Sequence, residues 1–175
     1  MKSIVDYFLT WWLHTGRYRW SWLHRQLGER RYLTIALPRV NSLEEIESCL
    51  KQVTWTGDGP LHLFDCISYP QVTWVKKKDD CDGFSNLASE LLRQLEPDYK
   101  PVLVTAMLRP IRRSHTVCAF HVSDGKLWFF DNAHLRRRDY ETYAEIVDEI
   151  TGQARVVCWD VVQPDTLKTI EFHRA

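Results

Sequence analysis

The sequence lacks an excess of charge of either sign. Its 175 residues include 23 lysines and arginines and 23 aspartates and glutamates. Such a chain has no whole-molecule field to attract nucleic acid, so we do not expect a nucleic-acid-binding protein. No apolar run approaches the roughly 20 residues that a membrane-spanning helix needs. Repeats, low-complexity tracts and dividing linkers are also missing, so we expect residues 1–175 to form a single domain.

A secretory signal is missing as well. The N-terminal apolar run is short, has little basic charge in front of it and lacks a small-residue cleavage site. The cysteines are odd in number and widely spaced, which does not suggest a disulfide framework. We therefore expect free thiols and a cytoplasmic, reducing location. The five cysteines are Cys49, Cys66, Cys81, Cys118 and Cys158.

The first 40 residues differ from the rest of the chain in composition. They carry seven basic and two acidic side chains, and residues 2–27 interleave tryptophans with arginines and histidines. The first half of this stretch is predicted to be a helix that breaks at Gly16. Three interpretations remain open for residues 1–27: a helix that packs into the core, a surface that docks a partner or a membrane interface, or an aromatic and basic platform for nucleic acid.

The clearest single element is a helix that begins near Cys81. Asp79 and Asp80 are good N-cap residues, and Pro97 ends the pattern. The apolar residues recur at intervals of three and four, so one face is predicted to pack into the core. These residues are Cys81, Phe84, Leu87, Ala88, Leu91, Leu92 and Leu95.

The position of Cys81 allows two interpretations. A helix N-terminus presents unpaired N–H groups and a partial positive charge, and both favour a thiolate that could act as a nucleophile. The alternative is a small buried residue at a helix start, which is a common place for an isolated cysteine. The aspartates around Cys81 oppose a strongly lowered thiol pKa.

The remaining pattern predicts an α+β fold, with helices preceding a run of antiparallel strands. Ser42 to Glu45 has the form of a capping box that opens a helix ending near residue 53. Residues 69–78 are predicted to be irregular, and residues 139–150 a helix. Strands are predicted at residues 32–37, 61–67, 102–108, 115–122, 126–131 and 155–162.

A metal site is the rival interpretation of the strand after residue 114. His115, Cys118 and His121 have a ligand-like spacing. On a strand, however, Cys118 points away from the two histidines, so we expect no metal and no cofactor. Basic clusters at residues 109–113 and 136–138 flank this region and form either a solvated surface or a rim that favours acidic substrates.

Three short motifs resemble the transglutaminase-like cysteine peptidases, especially the bacterial branch. They are Asp80-Cys81-Asp82-Gly83-Phe84 leading into a helix, His115-Thr116-Val117 on a strand, and Phe130-Asp131-Asn132 closing the next strand. The motifs occur in the family's order and span residues 79–132. One departure is Asp79, where the family usually has glycine.

The resemblance implies a papain/transglutaminase-like fold, in which the helix that bears the nucleophile packs on an antiparallel sheet, with residues 70–162 as the catalytic core. It implies Cys81 as nucleophile, His115 as general base and acid, and Asp131 as the carboxylate that orients the imidazole. Acyl transfer also needs an oxyanion hole. The Cys81 N–H could be one donor, and Trp74 or Gln71 could supply the other.

The expected function is a thiol hydrolase or acyltransferase, most specifically a cysteine peptidase or amidase acting on a peptide or protein through an acyl-enzyme on Cys81. The alternative is a non-catalytic interaction or structural module on the same fold, with its aromatic N-terminus as the docking element.

The hairpin after His115 leaves the third catalytic residue open. A two-residue Asp-Gly turn would pair Cys118 with Asp131, so that Asp131 points away from His115 and Asn132 shares its face. A three-residue loop with Gly125 left-handed would pair Val122 with Lys126, which makes His115 and Asp131 diagonal neighbours on one face. We predict the second register, because only it gives His115 an orienting carboxylate.

Overall fold

The computed structural model describes residues 3–57 and 66–175. None of the helices in these ranges has both the length and the apolar character needed to cross a membrane. The main helices are Ile4–Trp11 (α1), Arg17–His24 (α2), Leu43–Leu50 (α3), Pro70–Lys76 (α4), Cys81–Leu95 (α5) and Tyr143–Thr151 (α6). The strands are Thr54–Trp55 (β1), Lys78–Asp79 (β2), Val102–Arg109 (β3), His115–His121 (β4), Leu127–Asp131 (β5), His134–Tyr140 (β6), Arg155–Val162 (β7) and Thr169–Arg174 (β8).

Six strands form one antiparallel sheet in the order β6-β5-β4-β3-β7-β8. The central strands β3 and β4 are almost entirely buried, whereas most of the edge strand β6 is exposed. The short strands β1 and β2 make a separate parallel pair beside the start of α5. The predicted α+β class with a central antiparallel sheet is confirmed.

The sheet is covered on both faces. Leu103 and Cys118 are register partners, so they share a face; Leu103 packs against the N-terminal helices and Cys118 against α3 and α5. Val104 and Val117 are the next register partners, and they point to the opposite face, where α6 packs. The helix that carries Cys81 and the N-terminal helices therefore lie on the same side of the sheet.

Residues 4–34, which we call the N-terminal helical segment, form one continuous helical run. Two π-helical stretches, Trp12–Gly16 and Arg25–Glu29, separate the α-helices, and a 3₁₀-helix, Arg30–Thr34, ends the run. The predicted break at Gly16 is wrong, because the helix continues through it. A side chain at Gly16 would place its Cβ 2.6 Å from the Trp12 ring, so the glycine allows Trp12 to pack against the helix.

The segment contributes to the core. Leu9, Leu13 and Tyr18 are buried against β3 and β7. Of the three interpretations offered for this stretch, core packing is confirmed for one face of the helices.

Two other sequence predictions are wrong, and a third lies mostly outside the described residues. Residues 32–37 do not form a strand, because the backbone N–H of Ile35 donates to the carbonyl of Tyr32 and closes a helical turn. Residues 69–78 are not irregular, because Pro70 stands at the first position of α4, where its missing N–H costs nothing. The predicted strand at residues 61–67 lies mostly outside the described residues, and Cys66 and Ile67 are not in a strand.

The last third of the chain also differs from its prediction. The helix expected at residues 139–150 begins later, at Tyr143, with Thr142 as its N-cap. Residues before it form β6, and the C-terminal residues form β8, neither of which was predicted. Both are edge strands with mostly polar or exposed side chains, so they lack the apolar alternation by which a strand is recognised.

Candidate active site

Cys81 is the first residue of α5, as predicted. The side chain of Asp80 caps the helix by accepting hydrogen bonds from the N–H groups of Asp82 and Gly83, at 3.0 and 3.5 Å. A carboxylate therefore already occupies part of the positive end of this helix.

The side chain of Asp79 explains why a glycine, Gly83, stands in the first turn of α5. Its carboxylate accepts hydrogen bonds from the Thr73 hydroxyl at 2.6 Å and from the Asp80 N–H at 3.0 Å. A Cβ at position 83 would collide with the Asp79 side chain, so only glycine fits there. The departure from the family pattern at Asp79 is thus accommodated by Gly83.

His115 and Asp131 are in direct contact, with Nε2 and Oδ1 2.8 Å apart. The three-residue loop is confirmed: the Val122 N–H donates to the Lys126 carbonyl at 2.9 Å, and Gly125 has a φ of +83°. This register makes His115 and Asp131 the diagonal neighbours that the prediction required.

Cys81 and His115 line the same small cavity of about 40 Å³. Its walls come from the N-terminal helical segment, the start of α5, β3 and the start of β4. The other lining residues are Trp12, Arg17, Asp80, Asp82, Thr105, Met107, Ser114 and Thr116.

The structure gives no hydrogen bond between Cys81 and His115, both of which it describes. The Cys81 sulfur lies instead beside the backbone N–H of Thr116. By alternation along β4, Thr116 points to the α5 side of the sheet and His115 to the side of Val117. Since Nε2 of His115 faces Asp131, the nitrogen left to approach the thiol is Nδ1. Cys81 and His115 therefore share a cavity without a direct hydrogen bond between them; in many enzymes such a bond forms only when substrate is bound.

The thiol of Cys81 is held in its protonated form. It remains partly accessible to solvent, yet protein atoms surround it closely. Burial raises the pKa of Cys81 well above its ordinary value, and the carboxylates of Asp82 and Asp80 raise it further. The Thr116 N–H and the Arg17 guanidinium oppose this rise without cancelling it. The thiolate favoured by the helix position alone is therefore not the resting state.

The pKa of Asp131 is shifted in the opposite direction to that of Cys81. The hydrogen bond from His115 lowers the pKa of the Asp131 carboxyl, and Arg136, 3.6 Å from Oδ2, lowers it further. Both His115 and Asp131 are only partly buried, with 22 and 27% of their side chains exposed. A carboxylate that stays ionised beside an imidazole can fix its tautomer and stabilise the imidazolium.

Arg17 is the main residue of this site that the sequence did not predict. Its guanidinium pairs with the Asp82 carboxylate, next to Cys81, and also donates to the hydroxyls of Thr105 at 3.1 Å and Thr116 at 3.5 Å. Arg17 and Asp82 are 5 and 1% exposed. This network fixes the N-terminal helical segment to both α5 and the sheet.

A second buried polar contact lies beside this network. The Tyr18 hydroxyl donates to Asp160 Oδ2 at 2.6 Å, and Asp160 is fully buried on β7. Burial raises the pKa of Asp160 to about 7, although Tyr18 and Arg17 act in the opposite direction. Neither residue had a sequence signal, since a single acidic residue in an apolar strand does not identify its partner.

The remaining predicted site residues lie elsewhere. Among the described residues, neither Trp74 nor Gln71 lines the Cys81 cavity: Trp74 packs against the core and under the Lys77 ammonium, and Gln71 lines a different depression. Asn132 follows β5 with a φ of +51°, and its Nδ2 lies 3.5 Å from Asp131 Oδ1. It therefore adjoins the carboxylate and does not replace it.

Within residues 3–57 and 66–175, no group of three or more histidine, cysteine, aspartate or glutamate side chains could hold a metal ion. Cys118, from the ligand-like His115-Cys118-His121 spacing, is buried in the core against α5.

No protein-family model matches the sequence, and no curated protein matches it either. Among solved structures, the chain is similar to LapG of Legionella pneumophila in its calcium-bound form, with 16% identity and a TM-score of 0.49, covering 76% of this chain and 67% of that one. The EGTA-treated form of LapG gives 15% identity and a TM-score of 0.48, covering 76 and 70%. Similarity at this level says nothing about activity.

Proposed function

We propose that this protein is a thiol hydrolase or acyltransferase of the transglutaminase-like type, most specifically a cysteine peptidase or amidase. The observation that carries the proposal is that a cysteine at a helix start shares one cavity with a histidine held by a carboxylate at 2.8 Å. The substrate class is a peptide or protein that presents an amide or ester carbonyl.

In this mechanism Cys81 Sγ attacks the carbonyl carbon while Nδ1 of His115 takes the thiol proton. The imidazolium is stabilised by Asp131 and then gives the proton to the leaving amine, so that the C–N bond breaks and a thioester on Cys81 remains. Water attacks the thioester for hydrolysis, or an amine attacks it for transfer. Because burial and two carboxylates raise the pKa of Cys81, we propose that the proton leaves only as the carbonyl arrives.

The oxyanion donors remain a proposal. The backbone N–H of Cys81 at the start of α5 is one candidate, because helix N-terminal amides point toward incoming negative charge. Thr116 offers a second backbone N–H on the α5 side of β4, where it already approaches the Cys81 sulfur. Trp74 or Gln71 could act in this role only if α4 moved.

The test is the rate at which a peptidyl chloromethyl ketone, which presents a carbonyl group to the thiol, labels each cysteine at neutral pH, followed by mass spectrometry. We expect Cys81 to react ahead of Cys49 and Cys66, which are also partly accessible, and far ahead of the buried Cys118 and Cys158. His115→Ala should slow labelling of Cys81 by about 10²-fold or more, because it removes the base.

Matched variants separate the orienting carboxylate from its neighbours. Asp131→Ala should slow Cys81 labelling strongly, whereas His134→Ala should not, because the His134 side chain is mostly exposed and lies beside Glu47, and only its backbone pairs with Asp131. Asn132→Gly tests the neighbouring amide without strain, because glycine tolerates its positive φ. If Asn132→Gly were the damaging change, the third member would be an asparagine, as in papain-type sites.

A non-catalytic module is the second candidate, favoured by the missing hydrogen bond between Cys81 and His115 and by the small cavity. It predicts that Cys81 labels no faster than Cys49 and that His115→Ala changes nothing. The same labelling experiment therefore separates the two functions.

A further inference from the structure

The outer side of the N-terminal helical segment carries an unusual set of exposed apolar side chains. We call this surface the aromatic face. It consists of Ile4, Phe8, Trp11, Trp20, Leu23 and Leu27, with exposures of 88, 42, 55, 47, 40 and 80%.

Several of these side chains lie next to one another. Ile4, Phe8 and Trp11 recur at helical intervals, and the Phe8 and Trp11 rings are 6.0 Å apart. Trp11, Trp20 and Leu23 then line one shallow apolar groove together with Arg19. The exposed apolar side chains therefore extend from Ile4 to Leu27, and Arg19 places a cation among them.

In the N-terminal helical segment the carboxylates are buried, whereas the exposed charges are basic. Its only two carboxylates, Asp6 and Glu29, are 2 and 3% exposed. Arg109 and Arg155 hold Asp6 at 3.1 and 2.7 Å, and the Ser68 hydroxyl and Tyr69 N–H donate to Glu29.

The exposed charges are all basic. Of the five arginines, Arg17 and Arg25 are buried, which leaves Arg19, Arg30 and Arg31 in solvent. An exposed helix surface that offers tryptophan, phenylalanine and leucine with arginine, and no carboxylate, matches the interface of an anionic bilayer. Tryptophan rings settle at headgroup depth, while arginine side chains reach the lipid phosphates.

We propose that the aromatic face binds the surface of an anionic lipid bilayer, with the helical segment lying in the plane of the interface. Trp12 contributes to the groove on this face and to the wall of the Cys81 cavity. Binding through this face therefore brings the candidate active site within one side chain of the membrane-facing surface.

The test is co-sedimentation of the full chain with vesicles. We expect it to bind vesicles of equal parts phosphatidylcholine and phosphatidylglycerol, and to bind pure phosphatidylcholine vesicles much more weakly. Trp20→Asp combined with Leu23→Asp should reduce the bound-to-free ratio by more than about tenfold, because two apolar anchors are lost. Arg19→Glu should reduce it by about tenfold on anionic vesicles only.

Two matched controls lie elsewhere on the surface. Trp55 is 56% exposed and Arg112 is also exposed, and neither belongs to the segment. Trp55→Asp and Arg112→Glu should leave vesicle binding within about twofold of the wild type, and circular dichroism should show all variants folded.

Three outcomes would overturn the proposal: no binding to anionic vesicles, equal binding to both vesicle types, or equal loss in the control variants. A concentration-dependent dimer that Trp20→Asp with Leu23→Asp abolishes, without vesicle binding, would instead identify the face as an interface between two copies of the chain. Cys81 labelling is measured separately, so failure of lipid binding leaves the proposed chemistry untouched.

Discussion

Two charged pairs flank Cys81, and they are built in opposite ways. His115 and Asp131 lie 16 residues apart on adjacent strands, are partly exposed and are joined at 2.8 Å. Arg17 and Asp82 lie 65 residues apart, are almost completely buried and join two helices. The first pair is open to solvent, whereas the second pair is closed off from solvent although both of its residues line the Cys81 cavity.

The difference indicates a division of labour. A buried ion pair is maintained only when its hydrogen bonds are satisfied, and the hydroxyls of Thr105 and Thr116 supply further partners for Arg17. We infer that Arg17 positions the start of α5 against β3 and β4, while the His115–Asp131 pair performs the proton transfer. Variants of the two pairs should therefore affect different measurements.

The largest expected effect is the loss of stability in Arg17→Met. The substitution leaves the Asp82 carboxylate buried without its guanidinium, which typically costs about 3–5 kcal/mol of unfolding free energy. Asp131→Asn should cost less than about 1 kcal/mol, because the His115–Asp131 pair is partly solvated. Urea unfolding followed by circular dichroism measures both.

The matched control for that prediction is Arg19→Met, two residues further along the helix but exposed. It should change stability by less than about 0.5 kcal/mol. Equal destabilisation by the two methionine variants would show that the buried pair has no special role.

The contrast between the two pairs also explains which parts of the structure could be predicted from the sequence. The helix from Cys81 to Leu95 has a cap, an apolar stripe and a proline after its end, and the hairpin pairs residues close in sequence. Counting residues along the hairpin leaves two possible registers for the pairing of β4 with β5. A chemical argument, that a base needs an orienting group, then selected the one that the structure has.

The rest of the site depends on contacts between distant residues, for which a single sequence has no local signal. Arg17 stands among several arginines and tryptophans, and nothing in its neighbourhood distinguishes it from the exposed Arg19. The raised pKa of Cys81 likewise depends on burial, which opposes the effect of the helix N-terminus. Edge strands β6 and β8 were missed because solvent covers much of their surface.

The second prediction uses pH to separate the buried network from the proton-transfer pair. Burial raises the pKa of Asp160 to about 7, so its contribution to stability is complete below the unfolded pKa near 3.8 and is lost as the pH rises through about 7. The pKa of Asp131 is lowered, so its contribution is present above the unfolded pKa and is lost on acidification. The two carboxylates thus have opposite pH dependences.

Asp160→Asn should make the unfolding free energy depend less on pH, because it removes the ionisable group of Asp160. The amide can still accept the hydrogen bond from Tyr18, and it cannot ionise, so the variant should gain about 2–4 kcal/mol relative to wild type between pH 4 and pH 7. Unfolding free energies at a series of pH values measure this. Asp148→Asn, on the exposed side of α6, is the control and should leave the profile unchanged. A parallel pH profile in Asp160→Asn would mean that Asp160 is ionised in the folded protein across this range.

The smallest expected effect concerns Arg136, the outer neighbour of the His115–Asp131 pair. Its guanidinium lies 3.6 Å from Asp131 Oδ2 and is about half exposed, so solvent and salt screen the interaction. Arg136→Gln should change the unfolding free energy by less than about 1 kcal/mol and the rate of Cys81 labelling by less than about threefold. Added salt should reduce even this difference.

Arg138→Gln provides the comparison, because Arg138 belongs to the same basic cluster but pairs with Glu149. It should leave the labelling rate of Cys81 unchanged. If Arg136→Gln slowed labelling as much as Asp131→Ala, the orienting group would be an arginine–carboxylate unit, and the catalytic pair would depend on a residue at the exposed edge of the sheet. If neither Arg136→Gln nor Arg138→Gln changed the labelling rate of Cys81, the proposed proton transfer would depend on His115 and Asp131 without help from the basic cluster.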